Sequence, residues 1–381
     1  MNNRNRSMAL LLITTVLTIA MFIYSNSAIS KVAAQDASSI SLVTQTNTDA
    51  GVRRAGWSGF SKLSLGASIE SGDLIDPKGK PVRVLCANLT EQVITDIGPV
   101  PCPKERAVLV QEGLALAGWQ RSRPQDITVP FLISPRATAV TSAQPLIMWN
   151  ALLDTDGYKI TVRGEGVDWS TEVKGAANDK LNYPKDAPPL TPDNKYTVEI
   201  VAVGGTADGR SSSEEDTPGM SFTVLAPTDF QPIKKAKDLI RTRVHDKVLA
   251  DLTIAHFYAQ NGLNAEALQL LLNITGDPLV APKNTPKGLI ASPVLYLKLG
   301  DLCIESRLDI YAAAAYNRAL DLAKQNDDTE SAANALLGLA RLSSDSKQQL
   351  EYANEALKDW QTLGAIQQVE AVQQEFKGSG S

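Results

Sequence analysis

Histidine and cysteine are scarce: two of the first and three of the second in 381 residues. His245 and His256 would share a face of one continuous helix, yet at about 1.5 Å per residue they would stand about 16 Å apart. That is too far to ligate one metal or to act as one catalytic pair. No CxxC pair occurs, and neither histidine lies near Cys86 or Cys102 in sequence, which excludes the common zinc spacings. GxSxG, HExxH and GxxxxGK[ST] are also missing. Gly204-Gly205 with Gly209 lacks the strand-to-helix context of a phosphate loop and reads as a hairpin loop. The formal net charge of −5 offers no basic excess for nucleic acid. The expectation is therefore a chain without catalytic residues, metal or cofactor.

Only one stretch is long and apolar. Arg4 and Arg6 precede an uncharged run from Ala9 to Tyr24, and small residues follow at Ala33 and Ala34. This order predicts an export signal over residues 1–34, cut before Gln35 or, as second choice, at Ala28. An uncleaved anchor in the inner membrane is the alternative, although the run is a little short of the ~20 residues a spanning helix needs. Export to the periplasm or outside the cell would place Cys86 and Cys102, close together in a β-rich stretch, in an oxidising compartment. A disulfide between them is expected, closing a loop worth ~3 kcal/mol through the unfolded state. Cys303 is left as a buried thiol on the apolar face of a helix.

Residues 35–55 are rich in Ser, Thr and Asn and read as a flexible tether. Over 56–120, turn signals at Gly72-Asp73, Pro77 to Pro81 and Gly98 to Pro101 separate the alternating runs Val82 to Cys86 and Gln92 to Thr95, a small β domain. Ser71-Gly-Asp-Leu-Ile followed by that first run resembles the extracytoplasmic β domain of FecR-like proteins, which implies a module of regulatory or assembly proteins. Over 128–225, five strand-like runs begin at Leu146, Tyr158, Trp169, Tyr196 and Met220. Leu190-Thr-Pro192-Asp-Asn-Lys-Tyr196 has the form of a tyrosine corner. With Trp149 as core tryptophan, the stretch is similar to a fibronectin type III-like sandwich. Trp149, Tyr158 and Trp169 are expected in core packing and cross-strand pairs. Exposed together they would instead offer a stacking surface for a carbohydrate or envelope polymer.

From 226 to 247 a Pro-rich linker leads into a helix with a basic face (Lys234, Lys235, Lys237, Arg241, Arg243, Lys247). That face reads as the solvated side of a capping helix, or as a contact to an anionic envelope surface. Helical periodicity fills 248–376, and 377–381 reads as a disordered tail. Within the helices, Tyr296, Leu299, Gly300, Ala312, Tyr316 and Ala319 fall at the spacing of the tetratricopeptide signature. Small Gly300 and Ala312 let two helices approach, Tyr316 fills the hole between neighbours, and Ala319 admits the next helix. Ile254, Ala255, Tyr258, Ala267 and Leu271 repeat the frame upstream; Leu337, Gly338, Ala353 and Ala356 repeat it downstream. Three hairpins are expected, with a Pro-rich insertion from Gly276 to Pro293 between the first two.

In tetratricopeptide proteins, residues one and five places after the small position line the concave groove. Carried over, these are His256 and Gln260, Asp301 and Glu305, and Leu339 and Ser343. The resemblance implies a multidomain chain, β then α, that binds a protein or peptide through an acidic to polar groove favouring basic or polar ligands. A solvated face on a plain scaffold is the alternative for these charges, and an enzyme with a site assembled from different modules is the rival class.

Overall fold

The computed structural model describes residues 41–102, 126–214, 221–280 and 288–377. The export segment, the first part of the tether and the last residues of the tail lie outside them. Strands come first and helices follow, as the composition shift near Ala226 predicts.

Eight short strands build the first module: β1 (Ser41–Gln45), β2 (Gly51–Arg53), β3 (Ser61–Lys62), β4 (Ser68–Ile69), β5 (Leu74–Asp76), β6 (Val82–Leu85), β7 (Glu91–Ile94) and β8 (Gly98–Pro99). They form two four-stranded sheets, ordered β4-β1-β6-β7 and β3-β2-β5-β8. Val43, Val52, Leu63, Ile75, Val82 and Val84 fill the space between. The tether expected over 35–55 is thus corrected from Ser41 onward. Val43 and Val52 are 0% and 1% exposed, because they complete a core whose downstream members run from Leu63 to Ile94, a pairing local composition does not register. The expected bond joins Cys86 to Cys102 at the end of this module, with Cα atoms 5.5 Å apart.

The second module comprises β9 (Leu132–Ser134), β10 (Thr138–Val140), β11 (Leu146–Trp149), β12 (Gly157–Gly164), β13 (Val167–Lys174), β14 (Lys180–Asn182), β15 (Lys195–Val203) and β16 (Ser221–Val224). Their order is β10-β16-β15-β12-β13 in one sheet and β14-β11-β9 in the other. The two sheets share one core around Trp149, Tyr158, Tyr196 and Phe222. The Tyr196 hydroxyl accepts from Thr191 N at 2.8 Å, the bond back upstream expected of Leu190 to Tyr196. Trp149 packs edge-on to buried Tyr158 at 5.4 Å, and half-buried Trp169 to Tyr183 at 5.0 Å. These rings do not form a shared exposed platform.

Eight helices follow among the described residues: α1 (Pro227–Arg243), α2 (Lys247–Gln260), α3 (Asn264–Thr275), α4 (Pro293–Glu305), α5 (Asp309–Asn326), α6 (Thr329–Leu342), α7 (Ser346–Thr362) and α8 (Ile366–Phe376). Each packs on the next in sequence. Asp246, Asp328 and Asp345 cap α2, α6 and α7 through their side chains. The small positions are fully enclosed: Ala267, Ala312, Ala319 and Ala356 are each 0% exposed. His245 lies in the break between α1 and α2, so the two histidines do not share one helix. One apolar core runs through all eight helices and takes in Trp57 and Phe131 from the β modules. No helix among the described residues is long and apolar enough to cross a membrane.

Candidate functional site

Tyr316 on α5 is the hinge of the site. A Cβ built on Gly300 of α4 would stand 2.5 Å from its ring, and one on Gly338 of α6 would stand 2.6 Å from the other edge. Only glycine lets both helices close on this ring from opposite sides. Its hydroxyl emerges between them and donates to Asp301 Oδ1 at 2.8 Å.

Four residues expected in the groove meet in one place. His256 and Gln260 from α2 and Asp301 and Glu305 from α4 line a cavity of about 180 Å³, with Leu252, Ala255 and Leu302 as its apolar wall and Lys298 at its rim. The third expected pair is a correction. Leu339 is buried in the core at 5% exposed, and Ser343 ends α6. Asn334, Leu337 and Arg341 line the groove instead. The physical reason is burial: Leu339 turns into the helical core, and the side of α6 that faces the cleft carries Asn334, Leu337 and Arg341.

Asp301 keeps contact with solvent yet sits deep in the concavity, and its carboxyl is raised by desolvation, which Lys298 and the Tyr316 bond only partly oppose. Glu305, one turn on, is pushed up to about 6 by desolvation and then by Asp301. The His256 imidazole is lowered to about 3 by burial and by Lys298, and its Nε2 has no partner. Near neutral pH the cavity presents a neutral imidazole, an amide and two carboxylates whose charged forms burial disfavours. A cationic group placed between them would stabilise both anions.

Beyond Lys298 and Asp301 the groove widens into a cleft of about 640 Å³ whose opposite wall is the first β module. Arg54, just after β2, bridges Asp73 at 2.7 Å and Glu330 on α6 at 2.8 Å. Ser64 Oγ donates to Asp328 Oδ2 at 2.5 Å, and Glu330 N donates to Ser61 Oγ at 3.0 Å. Trp57 meets Trp360 of α7 edge-on at 5.4 Å, and Gly59 N donates to Leu363 O at 2.9 Å. Thus the segment 54–65 straps the helical array from α6 to the end of α7. No family model and no curated protein matches the chain.

The strap was not visible in the sequence, since Arg54 and Glu330 are 276 places apart and neither sits in a motif. The acidic pair of α4 was, because its spacing is local. Among the described residues no three His, Cys, Asp or Glu side chains are arranged to hold a metal ion.

Proposed function

We propose that the chain is an exported scaffold that binds a protein or peptide in the groove of a tetratricopeptide-like array. In the same reading its second module is a fibronectin type III-like sandwich and its first is a FecR-like β domain. The observation that carries this is the convergence of His256, Gln260, Asp301 and Glu305 on one cavity, continuous with the cleft beneath the strap. The chemistry favours a basic side chain: an aliphatic stem along Leu252, Ala255 and Leu302, and a cationic head between the two carboxylates through charge-assisted hydrogen bonds. Two further features agree with work outside the cytosol, namely the Cys86 to Cys102 disulfide and the Arg-flanked apolar start of the chain.

The test uses the full chain as bait in an envelope extract, beside a Glu305→Gln, Asp301→Asn variant that keeps shape and removes charge. Partners should be lost from the variant by about tenfold or more, while its circular dichroism stays unchanged. Asparagine is chosen over alanine because Asp301 holds Tyr316, so full truncation would also cost about 1 kcal/mol of stability. An identical partner set in both baits would move binding off this groove.

A further inference from the structure

Strand β13 ends the five-stranded sheet, and among the described residues nothing pairs with its outer side. It is eight residues long, contains no proline, and carries a regular burial alternation. Exposed edges of this length invite another strand. Gly175 N donates to Asp156 O at 2.7 Å, next to the aligned pair Gly157 and Lys174. In an antiparallel ladder that bond makes Val167, Trp169, Thr171 and Val173 the residues bonded to β12. The N–H and C=O groups of Asp168, Ser170, Glu172 and Lys174 consequently face outward, the Lys174 carbonyl also accepting from Asn178 Nδ2.

An outward row of this kind pairs with a copy of itself only in registers that set like parity against like. Centred on Ser170, such a ladder puts Asp168 opposite Glu172; centred on Glu172, it puts that carboxylate opposite itself. Centred on Thr171, it puts Asp168 opposite Lys174 twice, Trp169 opposite Val173 twice, and Thr171 opposite Thr171. Opposite charges, aromatic with β-branched, and paired threonines are the cross-strand combinations that stabilise sheets. Trp169, Thr171 and Val173 are half-buried on the core side of the free edge, where a neighbouring strand would cover them. Asp168 faces Arg163 at 3.5 Å across β12, and no ion pair engages Lys174 among the described residues.

We propose that two copies of the chain associate through β13, antiparallel about a two-fold axis at Thr171, joining two five-stranded sheets into one. The contact is isologous, so every favourable pair occurs twice. It shares no residue with the helical groove.

Sedimentation equilibrium of the full chain over a micromolar series decides it. The wild type should show a monomer–dimer equilibrium. Ser170→Pro should abolish the dimer and leave the fold intact, because the proline takes the place of an outward N–H. Lys174→Glu sets one carboxylate opposite Asp168 in each of the two symmetric pairs and should weaken association by roughly tenfold; the exchange Asp168→Lys with Lys174→Glu should restore it. A wild type that stays monomeric overturns the proposal, as does a dimer indifferent to Ser170→Pro. Loss with Ser170→Pro but no response to either charge variant overturns the Thr171 register.

Discussion

The smallest side chains in the helical array decide the most. Gly300, Gly338, Ala312 and Ala319 surround or support Tyr316, and their spacing along single helices made them legible before any tertiary contact was known. Gly300→Leu should unfold this part of the array, and even Gly338→Ala, whose Cβ would stand 2.6 Å from the ring, should cost about 1–3 kcal/mol in urea titration. Glu266 on α3 was not legible. It lies at the junction with β10, where its Oε1 accepts from Thr141 N at 2.6 Å and its Oε2 is buried without a partner. Burial pushes its carboxyl up from 4.5 to about 7, against the pull of the Thr141 bonds. The folded state then holds the proton more tightly than the unfolded chain, so stability is fully present below about 4.5 and is lost as pH rises through about 7. Glu266→Gln should remove that slope. Melting temperatures of both proteins at the two ends of the window are the check; parallel curves would mean that Glu266 is solvated. His256 acts in the opposite sense, its contribution present above 6.5 and lost as pH falls towards about 3.

Among the elements, α6 ties the helical array to the first β module. Asp328 caps it by accepting from Ser331 N at 3.0 Å and also accepts from Ser64 of the strap, while Glu330 in its first turn takes Arg54. Carboxylates at a helix N-terminus are favourable by themselves, so the sequence explains a cap there but not a docking site. Arg54 and Glu330 are 18% and 16% exposed at their side chains, and Asp73 is 3% exposed. Removing one partner of such a network strands the others. Arg54→Ala should therefore cost about 3 kcal/mol or more by thermal or chemical melting, well above the ~1 kcal/mol or less expected for an exposed pair such as Arg83 with Glu91. Equal effects of the two substitutions would show that the strap is loosely held. Helix α1 buries Ile233, Ala236 and Ile240 and leaves Leu239 exposed, and of the basic residues Arg241 turns to Asp251 on α2, joined there by Lys247.

At the scale of the molecule, the three expected modules do not behave as beads on a string. The described residues, all from Ser41 onward, form one compact unit. Thr138 Oγ1 donates to Gly262 O at 3.1 Å, Ser292 Oγ donates to Leu65 O at 2.6 Å, and the helical core admits Trp57 and Phe131. The Cys86 to Cys102 disulfide closes a short loop across a sequence separation of 16 and should contribute about 3 kcal/mol. Because the module that it braces is docked on α6 and α7, reduction is expected to lower a single calorimetric transition of the whole unit. Two separated transitions, with only the first sensitive to reductant, would establish that the modules melt independently.

The order β then α, the disulfide partners, the buried thiol of Cys303, the tyrosine corner bond and the glycine and alanine positions of the array were determined by the sequence alone. Each rests on spacings within a few turns or one short loop, which the chain carries wherever it folds. Tertiary structure decided what lies across the groove and which residues of α6 face it. It also decided that Ser41–Gln45 and Gly51–Arg53 are strands and that Glu266 is enclosed. These depend on surfaces brought together over long separations, where burial and pairing energies arise only after the elements have formed, and no local pattern records them.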